Sequence, residues 1–249
     1  MKRYLTFYTL LFSCFFWSQK IIYPTYTYKK DLNSITLERT DDIYFGYKQI
    51  QYIGYIQKTI EIEYVDADRY NNLLVKNYRT KNFESLNTEF KKRQYKNLKI
   101  FVDVSQKTPL SRIDYDTTKI KASEYDAKID SLNSGFKISD DIPLMTTYYD
   151  EFPITIYNLE KRERIIGFGN NVALELEALD KNHKWQKISH FRKYRCGTGI
   201  KYFVIKPQEI ATVFEPRLSG NFKTKLRYRL GNILSNEFEG NINDKYLKN

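Results

Sequence analysis

Four cationic residues, Lys223, Lys225, Arg227 and Arg229, occupy every second position of the nine-residue stretch Phe222 to Leu230. On a β-strand this spacing puts all four on one face at intervals of about 6.6 to 6.8 Å. Such a row can follow the charges of an extended polyanion, and arginine adds bidentate contacts to carboxylate or phosphate. Arg192, Lys193 and Arg195 widen the row if their loop folds alongside. These seven residues form the candidate binding site, with an acidic glycan, a lipid headgroup or an acidic envelope protein as its partner. The competing reading of the same charges is a solvated face that keeps strands from pairing edge to edge.

Other chemistry-bearing patterns fail on spacing or setting. Asp114-Tyr115-Asp116-Thr117-Thr118 has the D-x-D-x-T spacing of an aspartyl phosphotransferase, which needs its acids at the end of a buried parallel strand. Pro109 to Ile113 does not read as such a strand, so a turn before a helix is expected instead. A calcium loop begun at Asp66 would put Asn71 and Asn77 where glycine and glutamate are required. Gly167-Phe168-Gly169 lacks a third glycine and reads as a hairpin turn rather than a nucleotide loop. His183, His190 and Cys196 have no zinc-ligand spacing. The pairs Asp140-Asp141 and Asp150-Glu151 could serve a glycosidase only if distant acids came within roughly 5 to 9.5 Å across a sugar. No catalytic residue, cofactor or metal is therefore expected. The alternative is an envelope hydrolase whose acids meet between two regions of the chain.

The elements around the row are read from periodicity. Phe222, Leu226, Tyr228 and Leu230 alternate with the cations, which describes a half-buried strand, and Gly231-Asn232 turns it into a second strand, Ile233 to Phe238. A two-residue loop would place Leu226 opposite Glu237. A longer loop, or a bulge, pairs Leu226 with Phe238, and the longer loop is the expectation. Further strands are expected at Leu144 to Tyr149, Phe152 to Asn158, Val172 to Leu179, Lys184 to Ile188, Ile200 to Ile205 and Ile210 to Phe214. Seven or eight short strands in about 100 residues predict an antiparallel two-sheet sandwich over residues 142–249. Residues 19–141 read as a smaller, mixed α+β region. It has strands at Ile60 to Tyr64 and Ile100 to Val104, short helices within Asp66 to Lys99, a helix at Thr118 to Asn133, and a linker at Phe136 to Pro143.

Four stretches of the C-terminal part carry a likeness: Phe152-Pro153-Ile154-Thr155-Ile156-Tyr157-Asn158, Glu177-Ala178-Leu179-Asp180 followed by Lys184-Trp185, Cys196-Gly197-Thr198-Gly199, and Phe222 to Arg227. On these it resembles uncharacterised exported immunoglobulin-like β-sandwich proteins of Gram-negative bacteria. The likeness covers less than half of the chain. It implies a mainly β fold with an immunoglobulin-like C-terminal sandwich and Trp185 in its core, and it implies no activity. The cysteine pair of antibody domains is absent.

The first 18 residues open with Lys2-Arg3, continue without charge from Tyr4 to Trp17 and end at Ser18. This is the layout of a secretory signal peptide, and the apolar run is shorter than the roughly 20 residues of a membrane span. Export to the periplasm, cell surface or medium follows, with no transmembrane segment in the mature chain and no nucleic acid as partner. Leu11-Phe12-Ser13-Cys14 also resembles a lipobox, and lipid attachment at Cys14 is the second reading. Without Lys2 and Arg3 the chain keeps 39 basic and 30 acidic residues, a net charge of +9. Such a surface favours anionic partners. Twenty-two tyrosines and 16 phenylalanines suit a chain rich in strands. The exported chain is expected to begin at Gln19 or its cyclised form. Intact-mass measurement checks this, and an acylated Cys14 would identify a lipoprotein.

Overall fold

A computed structural model describes residues 21–28, 36–41, 43, 50–62, 88, 90–115, 144–168, 171–189 and 202–247. The chain is mainly β. In order, the strands are β1 (Thr25–Tyr28), β2 (Ile50–Tyr55), β3 (Thr59–Ile62), β4 (Leu98–Val102), β5 (Leu110–Tyr115), β6 (Leu144–Tyr149), β7 (Glu151–Asn158), β8 (Arg164–Phe168), β9 (Asn171–Val172), β10 (Glu175–Leu179), β11 (Trp185–Lys187), β12 (Tyr202–Ile205), β13 (Glu209–Pro216), β14 (Phe222–Leu230), β15 (Ile233–Leu234) and β16 (Phe238–Ile242). All sheets are antiparallel except the parallel pair of β1 and β3.

Two larger sheets share one core. The first has the order β2-β13-β7-β4, and the second runs β11-β10-β14, with β15 and β16 both paired to β14. In the first sheet Ile154 lies opposite Val213 and Ile156 opposite Ala211, so these four share a face, and all four are fully buried. They join Leu98, Ile100 and Val102 in a cluster that also holds Leu176, Leu226, Tyr228, Leu230 and Phe238 of the second sheet. Side chains that leave water in this way contribute about 1.5 to 3 kcal/mol each.

The other face of the first sheet is buried as well. Tyr157, Ile210 and Phe214 pack there against Tyr26 of β1 and Ile60 and Ile62 of β3. The Tyr26 hydroxyl lies 3.0 Å from Thr155 Oγ1 and 2.5 Å from Thr212 Oγ1, so three buried hydroxyls satisfy one another. Burial pushes the Tyr26 phenol up to about 12, against the lowering effect of the two threonine hydrogen bonds. With both faces covered, every residue of β7 and β13 is buried.

The expected boundary between residues 19–141 and 142–249 runs through this sheet. β2 pairs with β13 and β4 with β7, so N-terminal strands flank C-terminal ones in a single ladder. The first part is therefore not a region apart. The strand expected at Ile60 to Tyr64 is present as β3, and that at Ile100 to Val104 as β4, two residues earlier. Of the helices expected within 66–99, residues 88 and 90–92 are helical, Leu98 and Lys99 already belong to β4, and residues 66–87 and 89 lie outside the described set. The helix expected over 118–133, the linker at 136–143 and the first 20 residues also lie outside it. Leu110 to Tyr115, read as non-strand, is β5 and pairs antiparallel with β6. Asp114 is thus in a strand, though not in the parallel strand that aspartyl phosphotransfer needs.

The hairpin keeps the expected pairing but reaches it by another route. Gly231, at φ +59°, and Asn232 form a two-residue turn with Leu230 opposite Ile233, while Leu226 still lies opposite Phe238. One extra residue is taken up between Ser235 and Glu237, so a bulge replaces the longer loop. Gly231 also has no room for a side chain, because a Cβ there would sit 2.1 Å from the Arg93 carbonyl oxygen. The bulge carries Asn236 to the edge of β4. Its amide accepts from the Val102 N–H (2.8 Å) and donates to the Val102 carbonyl (3.0 Å). Asn232 pairs with Tyr95 in the same way, at 2.8 Å in each direction.

Leu226→Ala is expected to lower the unfolding free energy by about 2 to 5 kcal/mol, the usual loss for a cavity in a packed core. Asn236→Ala should cost about 1 to 3 kcal/mol, since the Val102 N–H and carbonyl lose their partner. Lys225→Ala should cost little. Urea denaturation of the three variants reads the order, and equal losses at positions 225 and 226 would reverse the two faces of β14.

Candidate functional site

Lys223, Lys225, Arg227 and Arg229 do project from one face of β14, and Leu226, Tyr228 and Leu230 are buried on the other. The row is not a run of free cations. Lys223 Nζ lies 2.7 Å from Glu239 Oε2 and Lys225 Nζ 3.1 Å from Glu237 Oε2, both on the β16 side. On the β10 side, Glu177 receives Arg227 Nε at 2.7 Å on Oε2 and Arg229 Nε on Oε1. One strand further, Lys187 of β11 lies 3.0 Å from Glu175. The outer face of this sheet thus carries alternating columns of cations and carboxylates, with five cations against four acids. Arg192, Lys193 and Arg195 lie outside the described residues.

The acids of β10 explain a departure from the sequence pattern. Glu175 and Glu177 alternate with apolar residues and read as solvent-facing, yet both are buried. Glu177 is engaged by the two arginines, and the Arg227 guanidinium in turn stacks over the Trp185 ring at 3.9 Å. Trp185 therefore sits half-buried on the outer face, not in the core where the immunoglobulin likeness places it. Breaking the exposed Lys223–Glu239 pair should cost little, whereas removing one partner of the shielded Arg227–Glu177 pair leaves a desolvated charge.

A different place offers a cavity. A pocket of about 220 Å³ opens where the ends of β7 and β13 meet β10, β14 and β16. Phe152, Leu176, Leu226, Tyr228 and Phe238 supply its apolar surface. Phe152 and Phe238 meet edge to face at 5.4 Å, and Tyr228 stacks on Phe238 at 6.0 Å. The Tyr228 hydroxyl donates to Glu215 Oε2 at 3.1 Å. Burial, then the charge and hydrogen bond of Glu215 and the charge of Glu151, push this phenol well above its ordinary value, so it keeps its proton.

Two arginines stand at the pocket's rim. Arg217 Nε donates to Asp150 Oδ1 at 3.0 Å, and its Nη2 donates to the carbonyls of Val104 (2.8 Å) and Gln106 (2.9 Å). Its guanidinium lies 5.5 Å from the Phe152 ring centre. Arg39 Nη2 lies 3.7 Å from Asp150 Oδ2, with more than half of its side chain exposed. Asp150 is itself held by its main chain, which donates to Glu38 O (2.9 Å) and accepts from Arg217 N (2.8 Å). Nothing in the spacing of Arg39, Asp150 and Arg217 marks them in the sequence, because three separate segments bring them together.

The other candidates resolve locally. Arg164, part of a basic cluster in the sequence, is buried on Glu160, its Nε 2.7 Å from Oε2. His183 lies in the turn closed by Asp180, while His190, Cys196, Asp140 and Asp141 fall outside the described residues. Gly167 and Phe168, read as part of a hairpin turn, are instead the last residues of β8 and pair antiparallel with Val172 and Asn171. Among the described residues no group of three His, Cys, Asp or Glu side chains is disposed to hold a metal, and no helix is long and apolar enough to cross a membrane.

The fold and site therefore define a mainly β protein of antiparallel sheets with an arginine-rimmed end pocket. Comparison with protein-family models, curated proteins and solved structures gave no match.

Burial pushes the Glu177 carboxyl up, but hydrogen bonds and charge from Arg229 and Arg227 outweigh it and hold the group below the ordinary glutamate value. A lowered folded-state value gives stability that is present above the unfolded value and lost as pH falls through the folded one. Glu177→Gln should lower the neutral-pH Tm and flatten the loss of Tm below about pH 4. A thermal-melt series across pH tests this, and an unchanged acid limb would remove Glu177 from that loss.

Proposed function

We propose that this chain is an exported, immunoglobulin-like β-sandwich protein that binds another component of the cell envelope and acts by binding rather than turnover. The leader-like first 18 residues support export, and the two antiparallel sheets that share one core support the sandwich. The observation that carries the binding reading is the end pocket, where Arg39 and Arg217 stand beside side chains of the shared core. Contact at this end also fits better than contact along Lys223 to Arg229, where carboxylates of neighbouring strands already match the cations.

Val104 stands on the pocket wall and is 36% exposed, so Val104→Trp fills the mouth without disturbing the core. Crosslinking in the native envelope, with partners identified by mass, should give a defined partner for the wild type, none for Val104→Trp, and the same partner for Lys223→Ser with Lys225→Ser. Capture that ignores Val104→Trp would move the site elsewhere. Turnover of an envelope polymer that disappears in Glu215→Gln would replace this reading with the hydrolase, because Glu215 is the carboxylate that accepts from the hydroxyl of Tyr228, a lining residue.

A further inference from the structure

We propose that the outer edge of β16 takes a further antiparallel strand, an extended segment of a partner protein with lysine or arginine at every second position; this rests on the binding reading and names the partner's chemistry. Within a strand the N–H and C=O of one residue leave on one side and those of the next on the other. Tyr228 turns both groups toward the returning strand of its hairpin, donating to Ser235 Oγ and accepting from Ser235 N at 2.9 Å each. The even-numbered residues of β14 therefore face β16, and Leu226, Thr224 and Phe222 exchange bonds with Phe238, Gly240 and Ile242. Glu239 and Asn241 are left pointing outward. Their main-chain groups have no partner among the described residues, and both residues border the end pocket.

Two other edges are closed by side chains. Asn232 and Asn236 cover β4, and Gln106 covers β1, accepting from Tyr26 N at 2.9 Å and donating to Pro24 O at 3.0 Å. β16 carries charge instead, in Glu237 and Glu239, whose side chains are 45% and 70% exposed. Two copies of this edge would set acids beside acids, so it discourages pairing with its own kind. A basic strand meets no such obstacle. Glu237 and Glu239 each engage one lysine of β14 through Oε2, and Oε1 of each has no partner among the described residues. In the interior of the sheet, Glu175 and Glu177 show the completed arrangement, with Lys187 on one flank and Arg227 and Arg229 on the other. From β11 to β16 the outer face runs cation, acid, cation, acid, and the next column in that order is cationic. Antiparallel addition ties this charge to hydrogen bonding. Every pairing in this sheet is antiparallel, and residues directly opposite share a face. A residue opposite Glu239 therefore sets its side chain on the outer face and turns both main-chain groups to β16, so the basic residues of the segment are the ones that make the bonds.

The test is calorimetric titration of the full mature chain with the acetylated and amidated peptide Thr-Lys-Thr-Lys-Thr-Lys-Thr, its glutamate analogue, and forms N-methylated at the lysines or at the threonines. The lysine peptide should bind saturably, more weakly as salt rises, and the glutamate analogue about tenfold worse or not at all. N-methylation at the lysines should cost about tenfold or more and N-methylation at the threonines little, because only the lysine N–H groups face β16. Glu237→Gln with Glu239→Gln should weaken the lysine peptide about tenfold with Tm nearly unchanged, since both side chains are exposed. Amide exchange read by NMR should be faster at Glu239 and Asn241 than at Gly240 and Ile242 in the free chain, and slowed at the first two by the peptide. No saturable binding at millimolar peptide, equal losses from the two N-methylation patterns, or free-chain protection at Glu239 and Asn241 equal to that at Gly240 and Ile242 would overturn the proposal. If Val104→Trp abolishes envelope capture while no peptide binds, the added strand falls and the binding reading stands. If the lysine peptide binds in this pattern and the envelope yields no partner, the edge stands as a peptide site and the envelope role falls.

Discussion

A sheet whose central strands are apolar on both faces must be covered twice, and that constraint places every other layer of this protein. Ile154 and Ile156 of β7 and Ala211 and Val213 of β13 require an apolar partner on one side, which the second sheet supplies. Tyr157, Ile210 and Phe214 require another on the opposite side, where β1 and β3 lie. Because Thr155 and Thr212 also point to that side, its cover has to bring a hydrogen-bonding group as well as apolar area. The Tyr26 hydroxyl does both. A phenylalanine would fill the space and leave two buried hydroxyls with only each other, 3.4 Å apart.

The same sheet has an edge to protect. β4 pairs with β7 on one side, and the groups on its other side would be open to pairing with a foreign strand. Here two asparagine side chains from the hairpin of β14 and β15 imitate a neighbouring strand at Tyr95 and Val102, and Ser235 forms an isolated parallel bridge with Ile100 between them. The bulge that displaces Glu237 by one position thereby serves two ends. It keeps the acid beside Lys225 on the outer face, and it brings Asn236 onto the β4 edge. Register, edge protection and the contact between sheets rest on one extra residue.

Legibility in the sequence followed local asymmetry. β14 could be read because one face is wet and the other dry, so its letters alternate. β7 and β13 could be located as strands but not as central ones, since a strand buried on both sides loses the alternation that would show which face is inside. β8 was missed because it opens with Arg164, a charge that is buried only by virtue of Glu160 and the main-chain N–H groups of Lys96 and Asn97 that also hold that carboxylate. Trp185 and Glu177 were misplaced for the same reason in reverse: stacking and ion pairs on the outer face bury residues that composition assigns to opposite sides. In the pocket the apolar residues were legible as core, whereas Arg39, Asp150 and Arg217 come from three segments that no spacing rule connects. The polar half of the site is a product of tertiary structure.

The order of strands in the first sheet sets a timetable for the chain. β2 and β4 are not paired with each other; each lies outside a strand from the second half, with Ile53 opposite Ala211 and Ile100 opposite Ile156. A polypeptide that emerges N-terminus first therefore holds β2 and β4 without their partners in this sheet until β7 has followed for β4 and, later, the segment ending at Pro216 for β2. Pairings so distant in sequence are slow to close. During that interval the apolar residues of the first hundred positions are unprotected cargo, and the molecule depends on being kept apart from its own kind until its centre arrives.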